Sequence, residues 1–203
     1  CMMLTTTILT CVVAFGSPQE MLHSAQTQLD AQQWEDAAAT LDELVTMFEN
    51  PPAELHYDRG IAHYNLEQYD QAAKAFEDAM SQTVDPTLAS YCAYNYGNAV
   101  YQSTMRDLEG TTNEGGQEEA IIALEDAKTQ LKKTIDSYRR AIKQNNGDMD
   151  ARANGELAWK MLQQLDEMQD EMEQQQQQQQ DDQNQEQQQD EESAEEQADN
   201  QQH

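Results

Sequence analysis

The sequence predicts an all-α fold of repeated helical hairpins, and three observations carry that expectation. Only 8 Gly and 4 Pro occur in 203 residues, too few for a turn-rich β architecture, whereas Ala, Gln, Glu and Leu, all good helix formers, dominate. A motif recurs: Tyr57-Asp58-Arg59-Gly60-Ile61-Ala62-His63-Tyr64 overlays Tyr94-Asn95-Tyr96-Gly97-Asn98-Ala99-Val100-Tyr101. Each Gly has Tyr three places before it and four after, and Ala two after. The prolines at Pro51-Pro52 and Asp85-Pro86 fall between helical segments, where a chain leaving a helix accepts them.

Charge narrows the function classes. With 39 acidic and 11 basic residues the net charge is -28, so phosphate backbones and anionic headgroups repel the chain, and nucleic acid is excluded as a partner. Asp166 to the C-terminus holds 14 of the acidic residues and no Lys or Arg, half of the net charge.

The elements are expected in the following order. Residues 1–17 read as a leader: the apolar-and-threonine run Leu4–Gly16 is shorter than the roughly 20 residues a membrane helix needs. It fits the hydrophobic region of a secretory signal, with Ala14, Gly16 and Ser17 as small residues for cleavage. The expected location is therefore the periplasm or cell envelope. Ile8-Leu9-Thr10-Cys11 loosely resembles a lipobox, so a lipid anchor or a retained N-terminal anchor is the variant reading.

Helical pattern then fills 18–148 as three units, at about 18–51, 53–86 and 90–148. Tyr69, Ala72, Phe76 and Ala79 follow Gly60 at +9, +12, +16 and +19. Trp34, Ala37, Leu41 and Leu44 repeat the same relative spacing, which puts Ala25 in the place of the Gly. Small residues at Gly60, Gly97, Ala37, Ala72 and Ala79 let helix backbones approach, while Trp34, Tyr69 and Phe76 fill the space between. In the third unit Tyr138 and Ala141 take the Phe76 and Ala79 places and Thr134 that of Ala72, which implies 25 inserted residues around 105–130. Glu109–Gly116 reads as a loop between two lengthened helices, the second carrying Ile121, Leu124, Leu131, Ile135, Tyr138 and Ile142 on one face. Residues 149–173, with Ala158, Met161, Leu165, Met168 and Met172 in a seam, read as a capping helix. The same seam could instead pair with a second copy. Residues 174–203, glutamine-rich and acidic without Val, Ile, Leu, Phe, Trp or Tyr, read as a disordered tail.

These residues resemble the tetratricopeptide repeat (TPR), a unit of two antiparallel helices. The resemblance implies an all-α TPR solenoid of about three repeats, with an extended third repeat, a C-terminal capping helix and a disordered tail. It also implies a concave groove lined by positions -3, +1 and +4 from the packing residue. These are Leu22, Gln26 and Leu29, then Tyr57, Ile61 and Tyr64, then Tyr94, Asn98 and Tyr101. The Lys places of carboxylate-clamping TPRs hold Tyr here, so that mode does not transfer. The exported array, the Tyr94–Tyr101 motif and the terminal helix with its polyglutamine-acidic tail look like the small TPR proteins of bacterial aerotolerance (Bat) operons. That likeness implies von Willebrand A-domain membrane proteins as partners.

Chemistry has few candidates. His56 and His63, seven apart, could share a metal, but no HExxH, CxxC, phosphate-binding loop or G-x-S-x-G accompanies them. No catalytic residue, cofactor, metal or small-molecule substrate is expected. Cys92 reads as a buried small hydrophobe, and Lys128, Lys132, Lys133, Arg139, Arg140 and Lys143 as a basic face paired with nearby carboxylates. The expectation is a non-catalytic, protein-binding scaffold. The alternatives are a homo-oligomer joined through the Met-rich helix and, remotely, an enzyme or metal protein using His56 and His63.

Overall fold

A computed structural model describes residues 16–114 and 116–199, seven helices with no strand among them. They are α1 Pro18–Asp30, α2 Trp34–Met47, α3 Ala53–Asn65, α4 Tyr69–Gln82, α5 Pro86–Glu114, α6 Gln117–Gln144 and α7 Met149–Asp199. Each helix packs on its sequence neighbours, as in a TPR solenoid: α1–α2, α3–α4 and α5–α6 are successive hairpins, and α7 lies on α6 and covers the end of the array.

Local signals explain the boundaries. Ser17 caps α1 through a reciprocal capping box with Glu20, and Pro18 occupies the first turn, where its missing N–H costs nothing. The turns inside the first two hairpins are equivalent. Gln32 and Glu67 both adopt left-handed backbone, at φ 55° and 59°, and Gln33 and Gln68 then start α2 and α4.

Packing follows the small-residue logic. A Cβ on Gly60 would lie 2.6 Å from the Phe76 ring, and one on Gly97 2.9 Å from the Tyr138 ring. In both hairpins an aromatic ring is seated directly on bare backbone. The first hairpin solves the same crossing with Ala25 and Leu41, both buried. The core forms three clusters in series, one across α1–α3, one across α3–α5 and the largest across α5–α7. Ala37, Ala72, Ala79, Tyr138 and Ala141 are buried, and Trp34 and Tyr69 are half-buried at the starts of their helices. Thr134, in the Ala place, is buried with an unpaired hydroxyl.

Two expectations need adjusting. The third unit begins at Pro86, not near Ser90. The loop expected at Glu109–Gly116 is mostly the end of α5, which stays helical to Glu114 before α6 starts at Gln117. The antiparallel helix beside it supports these polar residues in helical form. The glutamine-rich acidic residues after Glu173 continue α7 to Asp199, since Gln and Glu are good helix formers, and they are the disordered tail that the sequence predicts. Residues 174–203 contain no Val, Ile, Leu, Met, Phe, Trp or Tyr, so the tail has no large apolar side chain with which to hold itself to the fold. The leader at 1–15 lies outside the described residues.

Candidate functional site

Helices α3 and α5, the first helices of the second and third hairpins, each carry one stripe of candidate residues. Tyr57, Ile61 and Tyr64 recur at i, i+4 and i+7 on α3, and Tyr94, Asn98 and Tyr101 do the same on α5. All six are half-buried. The Tyr57 ring packs on Phe76, the Tyr94 ring on Tyr138, and Tyr64 meets Tyr69 edge-on. The Tyr57, Tyr64 and Tyr94 rings therefore each pack partly against a neighbouring ring and keep part of their surface exposed.

The polar atoms of the groove are largely satisfied from within. Asn95 Nδ2 donates to the Tyr57 hydroxyl at 3.1 Å, and Asn154 Nδ2 donates to the Tyr94 hydroxyl at 3.3 Å. Asn95 lies on α5 and Asn154 on α7, and each reaches back to a Tyr two helices earlier, on α3 and α5 respectively. Asn98 Oδ1 accepts from the Tyr138 hydroxyl at 2.7 Å and from Asn154 Nδ2 at 3.0 Å. Tyr64 bonds Gln102, whereas the Tyr101 hydroxyl has no hydrogen-bond partner among the described residues. Burial holds the Tyr57, Tyr64, Tyr101 and Tyr138 phenols above their ordinary range, so all four remain neutral donors near pH 7.

The inter-repeat asparagine clasp was missed at the sequence level. Its signal was present: Asn95 stands two residues before Gly97, and Asp58 stands two before Gly60. Asp58 is thus the same position one repeat earlier, but Leu22 there replaces the Tyr that would receive it. Burial, with Glu54 beside it, pushes the Asp58 carboxyl up to about 6. The α7 stripe beginning at Asn154 continues at Leu157, Met161 and Met168, and of these Leu157 and Met168 are exposed.

The remaining candidates are placed as follows. His56 accepts from Gln82 on α4, while His63 lies between Asp42 on α2 and Gln68, so the two imidazoles turn to different partners and share no site. Among the described residues no group of three or more His, Cys, Asp or Glu is positioned for a metal. Cys92 is buried, and desolvation raises its thiol to about 12, so it is not a nucleophile at neutral pH. Of the basic face, Lys128 pairs across to Asp166 of α7 at 2.7 Å and Arg139 pairs with Asp136. No described helix is long and apolar enough to cross a membrane.

Comparison with known proteins agrees with this geometry. Residues 23–83 match a family model described as tetratricopeptide repeat, and no curated protein matches the sequence. Among solved structures, a TPR repeats protein from Bacteroides fragilis NCTC 9343 is 12% identical with a TM-score of 0.38, covering 72% of this chain and 100% of its own. A MamA RS-1 ArsTM double mutant is 18% identical, also with a TM-score of 0.38, covering 78% of this chain and 99% of its own. Both superpose loosely. Residues 23–83, which hold the Gly60–Phe76 crossing, are thus similar to the tetratricopeptide repeat, and the Gly97–Tyr138 crossing repeats that geometry in the next hairpin.

Proposed function

We propose that this chain is a protein-binding scaffold that grips a partner segment in the groove formed by Tyr57, Ile61, Tyr64, Tyr94, Asn98 and Tyr101. The carrying observation is that these six side chains share one side of α3 and α5 and are all half-buried. The rings are therefore fixed in place yet keep contact area for a partner. Because most groove hydroxyls already serve the clasps, recognition rests on ring and aliphatic contact, with the Tyr101 hydroxyl free to bond. An apolar helix or extended strand suits such a surface. The role is non-catalytic, as is general for tetratricopeptide scaffolds.

The finer reading is an exported protein of the Bat type, whose partner is a von Willebrand A-domain membrane protein. The Leu4–Gly16 run and the Tyr94–Tyr101 motif support it. The test is capture of such a protein from native envelopes by the tagged full-length chain, comparing wild type with Tyr64→Ala/Tyr101→Ala. These two rings are chosen because neither takes part in an asparagine clasp. Loss of capture by a variant that keeps its helical circular dichroism is expected, and equal capture refutes the groove.

A second reading, self-association through α7, draws on the exposed Leu157, Trp159 and Met168. Sedimentation equilibrium distinguishes it, since a monomer at all concentrations ends that reading and leaves the scaffold intact.

A further inference from the structure

The third hairpin is taller than the second, and the step between them is a cavity. Helix α4 begins at Tyr69, where Asp70 accepts from Ser103 of α5. Helix α5 continues from there to Glu114, 11 residues or about 16 Å further, with α6 running beside it. No part of α4 covers that length. The space left has a volume of about 690 Å³ between α4, α5 and α6. Its wall on α5 is the Tyr96, Val100, Ser103 stripe, on the opposite side of that helix from Tyr94, Asn98 and Tyr101, so this cavity is separate from the groove.

The lining combines two chemistries. The floor is apolar, made by Val100, Leu108, Ala123 and Ala127 together with Ile122, which is 58% exposed. The rim is acidic: Asp70, Asp107, Glu119 and Asp126 all border it, and no Lys or Arg lines it. Arg106 stands at one edge and pairs with Asp70 and Asp107, which leaves Glu119 and Asp126 on α6 as the uncompensated charge. An apolar trough about three turns long, in line with the start of α4 and edged by carboxylates, has the shape of a missing helix. A short helix there would cover what α4 leaves open and bring cations to the rim.

We propose that the step above α4 is a second binding site, and that its occupant is a lysine- or arginine-bearing amphipathic helix from a partner protein. The inserted residues of the third repeat then have a role: they build this site on the face opposite the tyrosine groove.

The test uses the full-length chain and a fluorescein-labelled synthetic helix of Ala, Leu and Lys, with Lys along one edge, read by anisotropy. Wild type is expected to bind this peptide and not its Lys-to-Glu counterpart. Glu119→Gln/Asp126→Asn, at exposed positions, weakens binding about tenfold, and Ala123→Trp, which fills the trough, abolishes it. Tyr101→Ala leaves it unchanged, so the result is independent of the groove. Equal binding by wild type and the Glu119→Gln/Asp126→Asn variant would place the peptide on the acidic tail and overturn the proposal. Loss of binding in Tyr101→Ala, or a wild-type dimer that Ala123→Trp converts to monomer, would overturn it as well.

Discussion

Asp58 on α3 is a carboxylate standing where α5 and α7 carry asparagine. Asn95 and Asn154 each donate to a tyrosine two helices back; Asp58, for which Leu22 stands at the tyrosine's place on α1, has Glu54 nearby and loses hydration on burial. Its carboxyl is pushed from the usual 3.8 to about 6. Between those values the folded chain keeps a proton that the unfolded chain has released. Stability therefore falls as pH rises from about 4 to about 6 and is level above. Asp58→Asn removes this penalty. Because the side chain is partly exposed, solvent screening reduces the expected gain at pH 7 to about 1 kcal/mol, and at pH 4 there is no gain. Urea titrations of both proteins at the two pH values measure it; equal stability at pH 7 would show that Asp58 is well solvated. Residue-level detail of this kind was only half legible. The tyrosines stood out as a pattern, but Asn95 and Asn154 had no visible partner until helices 38 and 60 residues away in sequence from Tyr57 and Tyr94 were set side by side.

At the scale of one hairpin, stability turns on how closely two helices cross. Phe76 is fully buried and its ring occupies the space that a Gly60 side chain would need, at 2.6 Å. The ring is rigid and enclosed, so Gly60→Ala forces backbone movement and is expected to cost about 2–3 kcal/mol, despite the better helix propensity of Ala. Gly97→Ala, at 2.9 Å from a ring edge, costs less from contact alone. It also strains the hydrogen bond from the Tyr138 hydroxyl to Asn98, and so loosens the clasp with Asn154. Replacing the ring as well, in Gly60→Ala/Phe76→Leu, reproduces the Ala25–Leu41 pair of the first hairpin and recovers part of the loss. Chemical denaturation of the single and double variants checks this, and a Gly60→Ala protein as stable as wild type would contradict the crossing. This level was the most legible, because the spacing from Gly60 to Phe76 recurs from Ala25 to Leu41 in sequence order. The step beside α4 was not, since it arises from unequal helix lengths in neighbouring hairpins and leaves no motif.

Across the whole molecule the three clusters act as links in a chain, each stabilised by its neighbours, so resistance to opening depends on position in the array. The α5–α7 cluster buries Leu124, Leu131, Ile135, Tyr138 and Leu165, and α7 closes its outer side. The α1–α3 cluster is built more from alanine. Within it α1 buries only Ala25 and leaves Leu22 half exposed, so its first helix is secured by little apolar area. Beyond Glu173 the sequence offers no large apolar residue to any cluster, and the nine carboxylates from Asp181 to Asp199 repel one another. Hydrogen exchange by mass spectrometry is therefore expected to show a gradient: slowest in α6 around Leu131–Ala141, faster in α1, and close to free-peptide rates past Glu173. Truncation after Glu173 removes those nine negative charges yet leaves protection in α1–α6 unchanged. If α1 were as protected as α6, or if removing the tail accelerated exchange in the hairpins, the clusters would be one cooperative core and the serial account of this solenoid would fail.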